Sequence, residues 1–176
     1  MEHIWRKNLA TFIDRYLTGV VSGDVRLVDD VIDECYGLSQ TVFDVYFDVI
    51  ATAQQRIGGM WQDGEISIAQ EHLSTEIAIN QMERLRNQLP VTETNGFSVI
   101  VTTVEGEQHF IGARMIADLL QSIGWETHFL GPETPRESLA KYADEKKVNL
   151  VLLSLTRPEL LLELQQNILH LMNIVQ

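Results

Sequence analysis

Apolar residues in the first ninety positions recur every three or four residues, the spacing that places side chains on one face of an α-helix. Polar or glycine-containing breaks divide this pattern into four stretches, at 22–24, near 37 and at 63–64. Ser67 and Gln70 have the spacing of a capping box, so the last helix should begin there. The pattern predicts a four-helix bundle over residues 1–90 whose inward-facing residues are Leu9, Phe12, Ile13, Tyr16, Leu17, Val20, Val28, Val31, Ile32, Cys35, Val42, Val45, Val49, Ala53, Ile57, Met60, Ala69, Leu73 and Ile77.

After Pro90 the pattern changes. Residues 91–96, VTETNG, are polar and end in glycine, which predicts a linker. Beyond it, short β-branched runs alternate with amphipathic stretches, as in strands that are buried on both faces between helices. The second domain, residues 97–176, has predicted strands at FSVIVTT, WETHFLG and LVLLSL, each followed by a helix. Such repeats predict a parallel, doubly wound sheet, whose ligands bind outside the carboxyl ends of the strands.

Charge and composition exclude several classes of partner. The formal net charge is −12, with 14 acidic against 7 basic residues up to Pro90 and 11 against 6 beyond it, so direct nucleic-acid binding is not expected. No stretch is apolar enough to span a membrane, and the amphipathic start lacks the apolar core of a secretory leader. Cys35 is the only cysteine and cannot form an internal disulfide. We therefore predict a cytoplasmic protein in which Cys35 is a small core residue without a functional role.

Candidate chemistry lies in GEQHFIG, residues 106–112, after the first predicted strand. His109 falls in the turn between strand and helix, where its side chain can project towards a ligand. Glu107 can accept a hydrogen bond from one imidazole nitrogen and leave the other for a metal. Gly112 allows close approach of backbone or cofactor. Taken alone, a histidine in a turn is more often a surface or helix-capping residue.

The pattern Glu-x-His-x-x-Gly resembles the corrinoid-binding signature, usually Asp-x-His-x-x-Gly. Ser154-Leu155-Thr156, with 41 residues between Gly112 and Ser154, is similar to the Ser-x-Leu motif of that family, and LGPETP after the second strand adds to the resemblance. The resemblance implies a flavodoxin/Rossmann-like domain that binds cobalamin. His109 would be the lower axial ligand of cobalt, and Glu107, Gly112, Ser154 and Thr156 would contribute to the cofactor site.

The helical domain carries a finer resemblance in MWQDGEISIAQEH, where nine residues separate Trp61 from the pair Glu71-His72. This looks like the signature of the cobalamin-dependent photoreceptor regulators, light-responsive repressors and antirepressors that use adenosylcobalamin. The resemblance implies that Trp61 packs over the upper axial group, that Glu71 hydrogen-bonds the adenosyl moiety, and that His72 binds cobalt after light has broken the carbon–cobalt bond. Methylcobalamin or another corrinoid is the alternative cofactor. Taken singly, each of these residues also fits an ordinary structural role.

The chain departs from that family in two respects. The family's sheet domain has about five strands, whereas three are predicted here, so we expect an incomplete domain with its third strand at a sheet edge. The helix-turn-helix module of the light-responsive repressors is also absent, which makes direct repression doubtful. We expect the output to be self-association or contact with a regulatory protein partner.

The sequence thus predicts a non-enzymatic sensory module that binds cobalamin. The main alternative is a corrinoid carrier for methyl transfer, which shares the helical cap and the lower histidine. Trp61 with Glu71-His72 favours the sensor, because a methyl carrier needs an upper face open to partner enzymes. A degenerate interaction protein without a cofactor is the third interpretation. No serine-histidine-aspartate set, glycine-rich phosphate loop or zinc spacing is visible, so a self-contained enzyme is not expected.

Overall fold

A computed structural model describes residues 2–39 and 41–174 of the chain, with side chains described from Trp5 onwards. The chain divides into two compact units, Met1–Leu89 and Pro90–Gln176. The first unit is helical, with α1 (Glu2–Ser22), α2 (Val25–Leu38), α3 (Val42–Asp44), a π-helical segment (Val45–Ala51), α4 (Thr52–Gln62) and α5 (Ile68–Arg86). Because α3, the π-helical segment and α4 follow one another without a break, they form the third helix of the predicted four-helix bundle.

The inward faces of the second and third helices agree with the predicted pattern. One buried row of the third helix has a constant step of four residues and consists of Val45, Val49, Ala53 and Ile57, and Val42, Tyr46 and Ile50 are buried beside it. An α-helix has 3.6 residues per turn, so a row with steps of four drifts around its surface. The π-helical segment has wider turns, and it absorbs part of this drift and keeps the row against the core.

The fourth helix, α5, begins at the predicted capping box. Ser67 Oγ accepts a hydrogen bond from the Gln70 backbone N–H, and the Gln70 side chain accepts one from the Ser67 backbone N–H. These two bonds satisfy backbone donors that the first helical turn leaves free, and so they fix where α5 starts.

The predicted inward face of α5 is only partly right. Ile77 is buried, but Ala69 and Leu73 are exposed. Their places on the inward face are taken by polar residues, among them Ser74, whose Oγ donates to the backbone oxygen of Gln70 at 2.7 Å. Because such polar groups are hydrogen-bonded, they can be buried, and a pattern of apolar residues alone cannot locate them.

The second unit is a parallel sheet with helices. The strands are β1 (Ser98–Thr103), β2 (Glu126–Gly131) and β3 (Leu150–Ser154), and the helices are α6 (Ile111–Ser122), α7 (Arg136–Lys146), a 3-10 turn (Pro158–Leu160) and α8 (Leu161–Ile174). β1 lies in the centre and pairs in parallel with both neighbours, so the strand order is β2-β1-β3. The prediction of a helical bundle followed by a three-stranded, doubly wound parallel sheet is confirmed in the described residues.

Alternate residues of β1 pack on opposite faces of the sheet. Val99 and Val101 lie against Ala113 and Ala117 of α6. On the other face, Ile100 lies against Leu139 and Ala143 of α7, and Leu171 of α8 packs on the same cluster. Burial on both faces explains why β1 reads as an unbroken apolar run. The central strand is thereby packed against helices on both faces of the sheet.

The predicted linker, residues 91–96, contains neither helix nor strand but is bound to the end of α6. Thr92 Oγ1 donates to the Ser122 backbone oxygen at 2.7 Å, and the Asn95 backbone N–H donates to the Gly124 oxygen at 2.8 Å. Gly124 has φ +90°, and a Cβ placed there would lie 2.5 Å from the Glu93 backbone oxygen. Glycine is therefore required at position 124, where residues 91–96 contact the turn after α6.

No helix in the described part of the chain combines the length and apolar character needed to cross a membrane.

Candidate functional site

The loop between β1 and α6, residues 104–110, begins with a tight turn at the carboxyl edge of the sheet. The Glu107 backbone N–H donates to the Val104 oxygen at 3.0 Å, and Gly106 takes a positive φ of +84°. This turn directs the Glu107 side chain into the protein, where it has no exposed surface. His109, two residues later, lies on the outside of the same loop.

Glu107 and His109 are joined by two hydrogen bonds. One carboxylate oxygen of Glu107, Oε1, lies 2.5 Å from His109 Nδ1 and also accepts from the His109 backbone N–H at 3.0 Å. The His109 side chain is 60% exposed, and no residue in the described part of the chain hydrogen-bonds its Nε2. A carboxylate on Nδ1 favours the tautomer in which Nε2 carries no proton and can donate its lone pair.

The other carboxylate oxygen of Glu107 binds the loop after β3. Oε2 accepts hydrogen bonds from the backbone N–H groups of Thr156, at 2.8 Å, and Arg157, at 3.0 Å. Burial by itself raises the pKa of Glu107, but the hydrogen bonds from His109, Thr156 and Arg157 outweigh it and lower that pKa to about 2. Glu107 is therefore a buried, charged group that joins two loops fifty residues apart in the chain.

Gly112, Ser154 and Thr156 lie around the same edge of the sheet. Gly112 is exposed in the first turn of α6. Ser154 ends β3, and its backbone oxygen accepts from the Val104 N–H at 3.2 Å. Thr156 has an exposed side chain and contacts Glu107 through its backbone. The structure thus brings all five predicted residues of this domain to one edge.

The donors present fit a corrinoid better than a bare metal ion. In residues 2–39 and 41–174 no group of three or more His, Cys, Asp or Glu side chains could hold a metal ion. A corrin ring itself supplies most of the ligands of its cobalt, so one protein donor such as His109 Nε2 would be enough. A Cβ built on Gly112 would meet no atom within 4 Å, which leaves open space beside the start of α6.

The predicted residues of the helical unit lie on its surface. Trp61, near the end of α4, is 44% exposed. Glu71 and His72 lie in the first turns of α5, with 3.7 Å between Glu71 Oε2 and His72 Nε2. The His72 side chain is 73% exposed, and Glu71 is half-buried and accepts from Thr75 Oγ1 at 3.3 Å. These side chains are available to a ligand that approaches the helical unit.

Other polar residues have structural surroundings. Burial raises the pKa of the Cys35 thiol to about 12, so it stays protonated, as expected for a core residue. His128 lies in β2 with Tyr142 Oη 3.2 Å from its Nδ1, a partner that sequence reasoning did not suggest. Arg157 was also missed, and it could not have been found from its residue type because it binds Glu107 through a backbone N–H.

Comparisons with known proteins agree with this arrangement. Residues 12–86 match one family model described as a B12 binding domain, and residues 97–175 match a second with the same description. The chain is 28% identical over 104 residues to dimethylamine corrinoid protein 1 of Methanosarcina mazei, which covers 58% of this chain and 48% of that protein. It is 23% identical over 155 residues to a corrinoid protein of Desulfitobacterium hafniense, covering 81% of this chain and 68% of that protein.

A solved structure shares the fold. The monomethylamine corrinoid protein of Methanosarcina barkeri superposes with a TM-score of 0.77 at 21% identity, over 93% of this chain and 78% of that one. The chain spans about half the length of the Methanosarcina mazei relative. The two matched family models together cover most of the helical unit and most of the sheet unit, and the chain therefore belongs to the B12 binding domain proteins.

Proposed function

We propose that this chain binds a corrinoid and carries a methyl group on its cobalt between partner proteins. The observation that carries the proposal is the pair Glu107–His109, in which Nδ1 is held by a buried carboxylate and Nε2 has no partner in the described part of the chain. The relatives support it, because those named are corrinoid proteins, two of them of methylamines. On this proposal the main prediction from the sequence, a light-responsive sensor, gives way to the methyl carrier.

Each residue of the sheet unit has a separate task in this proposal. His109 Nε2 would be the protein donor that holds the cobalt. Glu107 accepts the Nδ1 proton of the neutral imidazole, which leaves the lone pair on Nε2, and it fixes the ring through this bond. Gly112 would leave room for the cofactor beside the start of α6, and Ser154 and Thr156 would line the same site. When bound, the cobalt supplies the methyl-transfer chemistry, so the chain acts as a carrier and its partner proteins act as the enzymes.

The proposed role as a methyl carrier also indicates which partners the chain would have. A corrinoid carrier requires methyltransferase proteins that can approach its cofactor. The net charge of −12 argues against nucleic acid as a partner, since phosphates would be repelled. A carrier has methylcobalamin as its working form, and we propose that cofactor in place of adenosylcobalamin.

The test is retention of cofactor by the purified chain. Wild-type protein incubated in the dark with methylcobalamin or hydroxocobalamin should keep the corrinoid through gel filtration. His109→Ala should weaken binding about tenfold or more and change the absorbance spectrum, because it removes the protein donor that would hold the cobalt. His170→Ala, on α8, is the matched control and should bind like the wild type. Equal spectra and affinities for His109→Ala and the wild type would contradict the proposal.

A light-responsive regulator is the second candidate, and the exposed Trp61 and His72 favour it. In this case Glu71 and His72 of the helical unit would bind adenosylcobalamin, and the output would be self-association or contact with a regulator. Protein loaded in the dark with adenosylcobalamin decides between the two functions. Illumination with green light should change its gel-filtration elution if the chain is a sensor and leave it unchanged if it is a carrier. A chain that retains no corrinoid would instead be a cofactor-free interaction protein.

A further inference from the structure

The end of the central strand carries a buried hydroxyl group that the proposed function does not yet use. Thr103, the last residue of β1, has no exposed surface. Its Oγ1 lies 2.6 Å from the Glu107 backbone oxygen and 3.3 Å from that of Val104. A hydroxyl has one proton to donate, so the shorter contact, to Glu107, is the hydrogen bond.

The same oxygen accepts a hydrogen bond from the loop after β2. The Glu133 backbone N–H lies 3.2 Å from Thr103 Oγ1. Glu133 has φ +57°, a conformation that residues with a Cβ rarely adopt. The neighbouring Thr102 contacts the same loop, with its Oγ1 2.8 Å from the Gly131 oxygen and 3.0 Å from Thr134 Oγ1. The loop after β2 is thus fixed from the end of β1.

The three loops at the carboxyl edge are therefore linked in series. Thr103 links the loop after β2 to the Glu107 backbone, and the Glu107 carboxylate links that backbone to His109 and to the loop after β3. A shift of the Glu107 backbone would move the carboxylate that orients His109. The hydroxyl of Thr103 therefore influences the orientation of the His109 imidazole through one residue, Glu107.

We propose that Thr103 is a positioning residue of the corrinoid site, whose hydroxyl fixes the loop that carries Glu107 and His109 against the loop after β2. The inference rests on the proposed function as far as the corrinoid is concerned. The link between the loops is independent of any cofactor. The two parts can therefore be tested separately.

The first test uses the full chain without cofactor. In the wild type, the Glu133 amide should exchange with solvent at least about tenfold more slowly than an unstructured amide, because Thr103 holds it. Thr103→Val, which keeps the shape and removes the hydroxyl, should speed exchange at Glu133, Thr156 and Arg157 by about tenfold. Thr103→Ser, which keeps the hydroxyl, should restore the wild-type rates.

A matched control comes from the same sheet. Thr127 is a half-buried threonine of β2 whose hydroxyl has only a long contact, 3.3 Å, to the Trp125 backbone oxygen among the described residues. Thr127→Val should leave exchange at the carboxyl edge unchanged. Fast exchange of Glu133 in the wild type, or equal effects of Thr103→Val and Thr127→Val, would overturn the proposal without any variant having to bind a cofactor.

The second test uses hydroxocobalamin. Thr103→Val should bind it about tenfold more weakly than the wild type, with an absorbance spectrum shifted towards that of His109→Ala, and Thr103→Ser should behave as the wild type. Unchanged affinity and spectrum in Thr103→Val, together with faster amide exchange, would overturn its role in positioning His109. If the wild type binds no corrinoid, the proposed function fails, whereas the exchange experiment still decides whether Thr103 links the loops.

Discussion

Glu107 holds a negative charge where it has no exposed surface. A buried carboxylate is ordinarily unfavourable, because water no longer solvates its charge. Here two backbone N–H groups of the loop after β3 and two N–H groups of His109 replace that water. Hydrogen bonds to a charged acceptor are about twice as strong as those between neutral groups, so they more than offset the cost of burial. Glu107 therefore contributes to stability as well as to the site.

The stability of the sheet unit should depend on pH through Glu107. Its pKa is about 2 when folded, against 4.5 for an ordinary glutamate. The lowered pKa means that the contribution is present above pH 4.5 and is lost as the pH falls towards 2. The difference corresponds to about 3 kcal/mol. Urea unfolding followed by the NMR signals of β1 should show this loss.

Two variants distinguish the contribution of Glu107 to stability from that of the other carboxylates. Glu107→Gln cannot accept on both sides, so it should lower stability at neutral pH by about 3 kcal/mol and remove this part of the pH dependence. Glu105→Gln changes an exposed residue of the same loop and should leave both unchanged. A Glu107→Gln protein as stable as the wild type at pH 7 would contradict the contribution assigned to this carboxylate.

At the scale of single elements, the third helix of the bundle shows how a spacing of four is accommodated. Its buried row Val45, Val49, Ala53, Ile57 keeps a constant step of four residues through the π-helical segment and into α4. A π-helical turn of this kind is equivalent to one residue inserted into an α-helix. Removing one residue within the segment should therefore return it to an α-helix. The residues before and after the segment would still turn the same side chains towards the core.

Deletion of Phe47, which lies in the π-helical segment and is 40% exposed, should change the free energy of unfolding by less than about 2 kcal/mol. Deletion of Gln55, an exposed residue of α4, should rotate the preceding residues of that helix by about 100° relative to those that follow. The buried side chains would then no longer face the core together, so cooperative unfolding of the helical unit should be lost. Circular dichroism during urea unfolding measures both. An equal loss of unfolding free energy from the two deletions would show that the π-helical segment does not contain the equivalent of one inserted residue.

The sequence predicts elements better than it predicts their polar contacts. The strands and most helical faces followed from apolar spacing, because burial of apolar side chains decides them. The face of α5 was misjudged because Ser74 and Gln81 are buried with hydrogen-bonding partners. The pairing of Glu107 with His109 followed from their spacing. The contacts of Glu107 with Thr156 and Arg157 could not be predicted, since they use backbone groups from a distant loop.

At the scale of the whole molecule, the surface combines a high negative charge with a strongly apolar helix. On α8 the side chains of Leu162, Leu169 and Met172 are 61%, 61% and 71% exposed. β3 pairs only with β1 among the described strands, so its other edge is open. Exposed apolar side chains and an open strand edge each favour association between copies, which the net charge of −12 opposes.

Association should therefore rise with protein concentration and with salt, which screens the charge. Leu169→Lys together with Met172→Lys should abolish it, because the apolar face is interrupted. Gln165→Lys, an exposed polar position on the same helix, is the control and should associate like the wild type. Light scattering during gel filtration measures the mass. A wild-type chain that stays monomeric at all concentrations would contradict the expectation.

The bond between Glu107 and the loop at Thr156 and Arg157 also limits how this protein can be recombined with others. A chimera joined anywhere between residues 107 and 156 would combine Glu107 from one parent with the hydrogen-bonding loop after β3 from another. If the other parent has aspartate at that place, its side chain is shorter by one methylene and would not reach the Thr156 and Arg157 N–H groups of this loop in the same way. Hybrids joined near residue 90 keep both partners from one parent, so libraries should place their crossovers there.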